Sequence, residues 1–132
     1  MKSQGSEHLT PASEITKAYG GHITACCEES YVKGVAASFA CFIFFPFIGL
    51  HVRDNVLNIS QHPQKAWIQT YSEDLFHTTN QMAELVNEVI KPEHEQMAVE
   101  THMTSAAFEL KFFKDALKKE DSPAEGRALM SK

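Results

Sequence analysis

Seventeen consecutive residues, Gly34 to Leu50 (GVAASFACFIFFPFIGL), carry no charge and include Phe39, Phe42, Phe44, Phe45 and Phe47, five of the nine Phe in the chain. Such a segment must leave water. It is short of the ~20 residues that a membrane-crossing helix needs, Pro46 sits near its end, and no basic cluster flanks it to set an orientation. A helix enclosed by other helices accounts for the same pattern, being apolar on all sides. The expectation is therefore a buried central helix and no membrane association. Pro46 is expected to kink it, since proline removes one backbone bond and crowds the carbonyl four residues earlier.

The flanking sequence supplies the covering helices. A first helix is read from about Pro11 to Glu29, with Thr10 as N-cap and Pro11 at the first helical position. Ile15, Ala18, Tyr19, His22, Ile23 and Cys26 fall on one face at 3/4 spacing. Gly20 and Gly21 each cost ~1 kcal/mol relative to Ala in a helix, so close packing against a neighbour is expected there. Ser30 caps the second helix, which ends near Val52, and RDNVLNISQHPQ (53–64) reads as a connection. A short helix follows over 65–71. Ser72 is read as the N-cap of a third long helix reaching Ile90, with Leu75, Phe76, Thr79, Met82, Ala83, Val86 and Ile90 inward. Lys91-Pro92 breaks it. A last helix spans about 93–119, and Val99, Met103, Ala106, Leu110, Phe113 and Leu117 step by helical core spacing. No strand-like alternation is present, so the fold class is all-α, a bundle of antiparallel helices. Residues 1–9 form an N-terminal tail, 10–119 the helical domain and 120–132 a polar tail.

Composition narrows the function. Twelve Lys+Arg against 17 Asp+Glu give a formal charge of -5, which argues against a protein that grips phosphate backbones and so against a nucleic-acid partner. Lys111, Lys114, Lys118 and Lys119 instead complement the dipole at a helix C-terminus. Three cysteines, Cys26, Cys27 and Cys41, without CxxC or spaced histidines give neither a disulfide framework nor a zinc site. The polar N-terminus lacks the apolar core of a secretory signal, and the expected location is the cytoplasm. The His/Glu-rich stretch 93–102 fails the Glu-x-x-His register of a di-metal bundle, because Glu95 is followed three residues later by Ala98. No metal and no cofactor are expected.

Two side chains carry possible chemistry. Cys41 is a thiol in an apolar, aromatic setting, where it is either an inert core residue or a nucleophile awaiting a partner from elsewhere. Glu109, in AAFELKFF, either reaches water or is buried with a raised pKa, as an acid/base carboxylate is. Trp67 and Tyr71 share a helix face at i, i+4.

Read together, TKAY (16–19), AASFACFIFFPFIG (36–49), KAWIQTYSEDLF (65–76) and FELKFFKDA (108–116) resemble, in order and spacing, the TenA family of thiaminase II, or aminopyrimidine aminohydrolase. The resemblance covers about residues 10–117 and implies the haem-oxygenase-like all-α fold without a necessary haem. The chain would be its C-terminal part, lacking the family's N-terminal helices, which carry a pyrimidine-binding Asp. It implies Cys41 as nucleophile, Glu109 as acid/base, and Tyr71, Phe45 and Phe112 as substrate-binding residues. The substrate would be an aminopyrimidine or another thiamine-derived small molecule in hydroxymethylpyrimidine salvage, and the assembly a homo-oligomer. The sequence departs from the family pattern at Ala40 (Pro), Phe45 (Tyr), Phe47 (a carboxylate) and Phe113 (Trp). Those departures, with the missing helices, frame the alternative: a catalytically degenerate binding or interaction module that needs a partner chain.

Overall fold

The computed structural model describes residues 10–120; the tails read at 1–9 and 120–132 lie outside them except for Glu120, which ends the last helix. The described residues are mainly helical, without a strand: α1 (Glu14–Glu29), α2 (Tyr31–Asn55), a 3-10 turn (Ile59–Gln61), α3 (Lys65–Gln69), a π-helical turn (Thr70–Asp74), α4 (Leu75–Val89), a second 3-10 turn (Pro92–His94) and α5 (Glu95–Glu120). The all-α expectation holds. The central helix α2 packs against α1, α4, α5 and the π turn. At 25 residues it is also long and apolar enough to cross a membrane by length and composition. The helix is thus longer than the charge-free run alone suggested, because it continues through Arg53 to Asn55.

The N-cap of α1 is Ser13, not Thr10: its Oγ accepts from the Thr16 backbone N–H at 3.3 Å. Gly20 and Gly21 face open space, and a Cβ at either would meet nothing within 4 Å. The close approaches occur at other glycines. A Cβ on Gly34 would lie 2.9 Å from Cys27 Sγ, where α1 turns onto α2. One on Gly49 would lie 2.5 Å from the Tyr71 carbonyl carbon and 2.8 Å from the Ser72 nitrogen. Gly49 therefore admits the backbone of the π turn directly against α2.

Pro46 stands inside α2 and is buried. Lacking an N–H, it leaves the Phe42 carbonyl without its intrahelical donor. The Thr79 hydroxyl of α4 lies 2.7 Å from that oxygen and donates to it. A neighbouring helix thus satisfies the polar group that proline frees.

Ser72 caps nothing. The chain runs from α3 through the π turn into α4, and Ser72 lies buried inside it. The larger correction concerns α5. Its expected core stripe is largely outside: Val99, Met103, Leu110 and Leu117 are each more than half exposed. The buried face is Ala98, Thr101, Ser105 and Glu109, turned toward the Ala36, Ala37 and Ala40 face of α2. Small side chains on both surfaces let the helix backbones approach closely. The Ser105 hydroxyl, fully buried, donates to the Ala37 carbonyl at 2.8 Å. Close contact and a satisfied polar seam outweigh the larger apolar stripe.

Candidate active site

The α1–α5 interface is polar. Tyr19 and His22, one turn apart on α1, face Glu109 and Ser105, one turn apart on α5. The Tyr19 hydroxyl donates to Glu109 Oε1 at 2.7 Å, and its ring stacks on Phe108 with centroids 5.5 Å apart and planes 5° from parallel. Glu109 is 4% exposed, so Tyr19 offsets part of the cost of removing a carboxylate from water.

One turn away, His22 Nε2 lies 3.0 Å from Ser105 Oγ. Ser105 has given its proton to Ala37, so it accepts here, and His22 carries its proton on Nε2. The remaining ring nitrogen, Nδ1, accepts from the Cys26 thiol at 3.8 Å. Burial pushes the His22 pKa down and the Cys26 pKa up, keeping both neutral.

Cys41, on α2 and half-buried, shares this interior with Glu109. Burial raises the Cys41 thiol above its ordinary value, and the neighbouring Glu109 carboxylate raises it further. Tyr19 is raised for the same reasons: first burial, then its hydrogen bond to Glu109 and the Glu109 charge, with a smaller push from Cys41. Thiol, phenol and carboxylate therefore form one electrostatic cluster drawn from α2, α1 and α5. At neutral pH the thiol and phenol hold their protons.

Beside this cluster lies an aromatic group. Phe45, one turn after Cys41, meets Tyr71 at 5.3 Å and Phe113 at 5.8 Å between ring centroids. Trp67 backs Tyr71 at 4.7 Å. Phe112 meets Phe113 edge-on at 5.6 Å, so Phe113 is the ring against Phe45. The π turn carries Tyr71; such one-turn insertions re-aim side chains and occur often at functional sites. Phe47 points away, 62% exposed and edge-on to Phe76.

The structure thus brings Cys41 to Glu109 and Phe45 to Tyr71. Sequence reading missed the part of Tyr19, which it placed on the inner face of α1 without a role, and that of Phe113, assigned to the core stripe. The tyrosine in TKAY was the available signal. Among the described residues, no three His, Cys, Asp or Glu side chains assemble as a metal-binding group. His94 instead accepts from the Lys91 backbone N–H at 3.2 Å.

These features define an all-α chain with a thiol–carboxylate–phenol cluster beside an aromatic wall. Over 73 residues, 54% of its length, the chain is 40% identical to the thiamine biosynthesis multifunctional protein ThiED of Corynebacterium glutamicum. Over 118 residues, 82% of its length, it is 29% identical to the protein of the same name from Corynebacterium efficiens. The chain spans 9% and 15% of the lengths of these two relatives. No protein-family model matches it, and no solved structure does.

Proposed function

We propose that this chain is a TenA-like thiaminase II, or aminopyrimidine aminohydrolase, acting on an aminopyrimidine or other thiamine-derived small molecule in the cytoplasm. The observation that carries the reading is the Cys41–Glu109–Tyr19 cluster. The similarity to two proteins named for thiamine biosynthesis supports the substrate class.

Glu109 takes the Cys41 proton as sulfur adds to an electron-poor ring carbon, and the new carboxylic acid protonates a ring nitrogen or the departing amine. Electrons from the sulfur-bearing ring expel the amine from the exocyclic methylene, water adds to that methylene, and sulfur then leaves the ring carbon and takes its proton back. Splitting the displacement into addition and release lowers each barrier. Tyr19 holds the carboxylate in place, while Tyr71, Phe45 and Phe112–Phe113 flank the flat ring. The test is ammonia release from aminomethylpyrimidine by the purified protein. Turnover abolished by Cys41→Ser is the expected result, and no release by the wild-type chain overturns the assignment.

A silent binding module is favoured by one observation: the Cys41 thiol is pushed up rather than down. It predicts quenching of Trp67 fluorescence by the pyrimidine without ammonia release. The reading also includes a second copy covering the exposed Val99, Met103, Leu110 and Leu117 stripe, whose steps of four and seven residues keep all four on one face of the helix. Light scattering should give a dimer or larger assembly, and Leu110→Glu should shift it to monomer.

A further inference from the structure

A cavity borders the end of α2, α3 and the π turn. It holds about 340 Å³ and is lined by Arg53, Ile59, Ser60, Lys65, Ile68, Gln69, Ser72 and Glu73. That is within the range of small-molecule sites. The Ser72 side chain is its most telling feature. The residue is 3% exposed, and its hydroxyl has no hydrogen-bond partner. Buried hydroxyls almost always have one, so an unpartnered one in a cavity wall asks for an explanation.

The other donors agree. Arg53 gives Nε to Asp54 at 3.1 Å, which leaves the rest of its five-donor fork free. Lys65 forms no ion pair among the described residues. Ser60 spends its proton on Asn58, 2.7 Å away, and accepts only. Glu73 is the single carboxylate in the wall, against two cations. The balance is one positive charge with guanidinium, ammonium, amide and hydroxyl donors around it, over the apolar floor of Ile59 and Ile68.

We infer that this cavity binds a phosphate group, as free phosphate or as a phosphomonoester, on Arg53, Lys65 and the buried Ser72 hydroxyl. A tetrahedral dianion matches several convergent donors, and an Arg fork is suited to its geometry. The inference is independent of the pyrimidine reading, since it uses none of the residues around Cys41.

Isothermal titration with inorganic phosphate, and separately with glycerol 3-phosphate, against a chloride control of equal ionic strength, tests it. Saturable binding is expected, with an accompanying rise in Tm. Equal affinities identify phosphate itself as the ligand, and tighter binding of the ester identifies a phosphomonoester. Arg53→Gln and Lys65→Gln should each weaken binding about tenfold, the size expected for a lost charged hydrogen bond. Glu73→Gln should strengthen it. Ser72→Ala separates ligand binding from structure. It should leave the unliganded Tm unchanged or higher, because an unpaired buried hydroxyl is removed, yet weaken phosphate binding. No saturable heat with either probe overturns the inference. So do affinities that are the same in all four variants.

Discussion

Glu109 and Tyr19 meet across 90 residues of sequence, and the Glu109 carboxylate adds to burial in holding the Tyr19 proton. Tyr19→Phe keeps the ring stacked on Phe108 but strips a donor from a buried carboxylate, so a loss of about 1–3 kcal/mol is expected from urea unfolding. Glu109→Gln removes the charge that helps hold the Cys41 proton. The Cys41 pKa should then fall, and iodoacetamide should alkylate Cys41 faster at pH 8, read peptide by peptide with exposed Cys27 as comparison. Under the proposed aminohydrolase reading, ammonia release should fall at the same time by about 100-fold or more, because the proton has lost its acceptor. Slower alkylation in that variant would show that Glu109 activates the thiol before substrate binds. Cys41 and Glu109 were both legible as candidates, being a thiol and a carboxylate set in aromatic runs. Tyr19 was not, since a tyrosine on a helix's inner face looks the same whether its hydroxyl finds water or a buried acid.

Among the elements, α2 and the turn packed on it set the geometry. Gly49→Ala would drive a Cβ into the Tyr71 backbone. Backbone is unable to step aside as a side chain does, and a loss of about 2 kcal/mol or more is expected in thermal unfolding. Gly20→Ala, in open space, should stabilise by up to about 1 kcal/mol through helix propensity alone. The Pro46–Thr79 arrangement predicts a double-mutant cycle. Thr79→Val should cost about 1–3 kcal/mol by orphaning the Phe42 carbonyl. It should cost less in a Pro46→Ala background, where the restored backbone N–H supplies the missing donor. Equal costs in both backgrounds would mean that the hydroxyl serves Leu75, 3.0 Å away, instead. Helix existence and the Lys91-Pro92 break were readable from periodicity and proline. The inward face of α5 was not. Periodicity ranks faces by apolarity, whereas α5 docks by its small and polar residues.

For the whole molecule, the buried titratable groups set a pH window. His22 has a folded pKa below its ordinary 6.5, chiefly through burial. Its contribution is present above that value and lost as pH falls, because the unfolded chain takes up the proton first. Cys26 and Cys41 are raised above 9.0 and Tyr19 above 10.0. Their contributions are intact below about 9 and lost as pH rises, since the unfolded chain releases those protons first. Stability by chemical denaturation should therefore plateau between about pH 6.5 and pH 9 and fall on both sides. Cys41→Ser should soften the alkaline fall, and His22→Gln the acid one. The amino-acid order alone determined that this chain is helical and that its Phe-rich segment is the central element, and it offered Cys41 and Glu109 as candidates for chemistry. Those conclusions rest on local periodicity, hydropathy and side-chain chemistry, which a linear sequence carries. Tertiary structure decided that α5 turns Ser105 and Glu109 inward, that Tyr19 holds the carboxylate, and that Gly49 rather than Gly20 is the tight contact. Each depends on which backbones approach within a few ångströms, a relation between distant residues that no local pattern encodes.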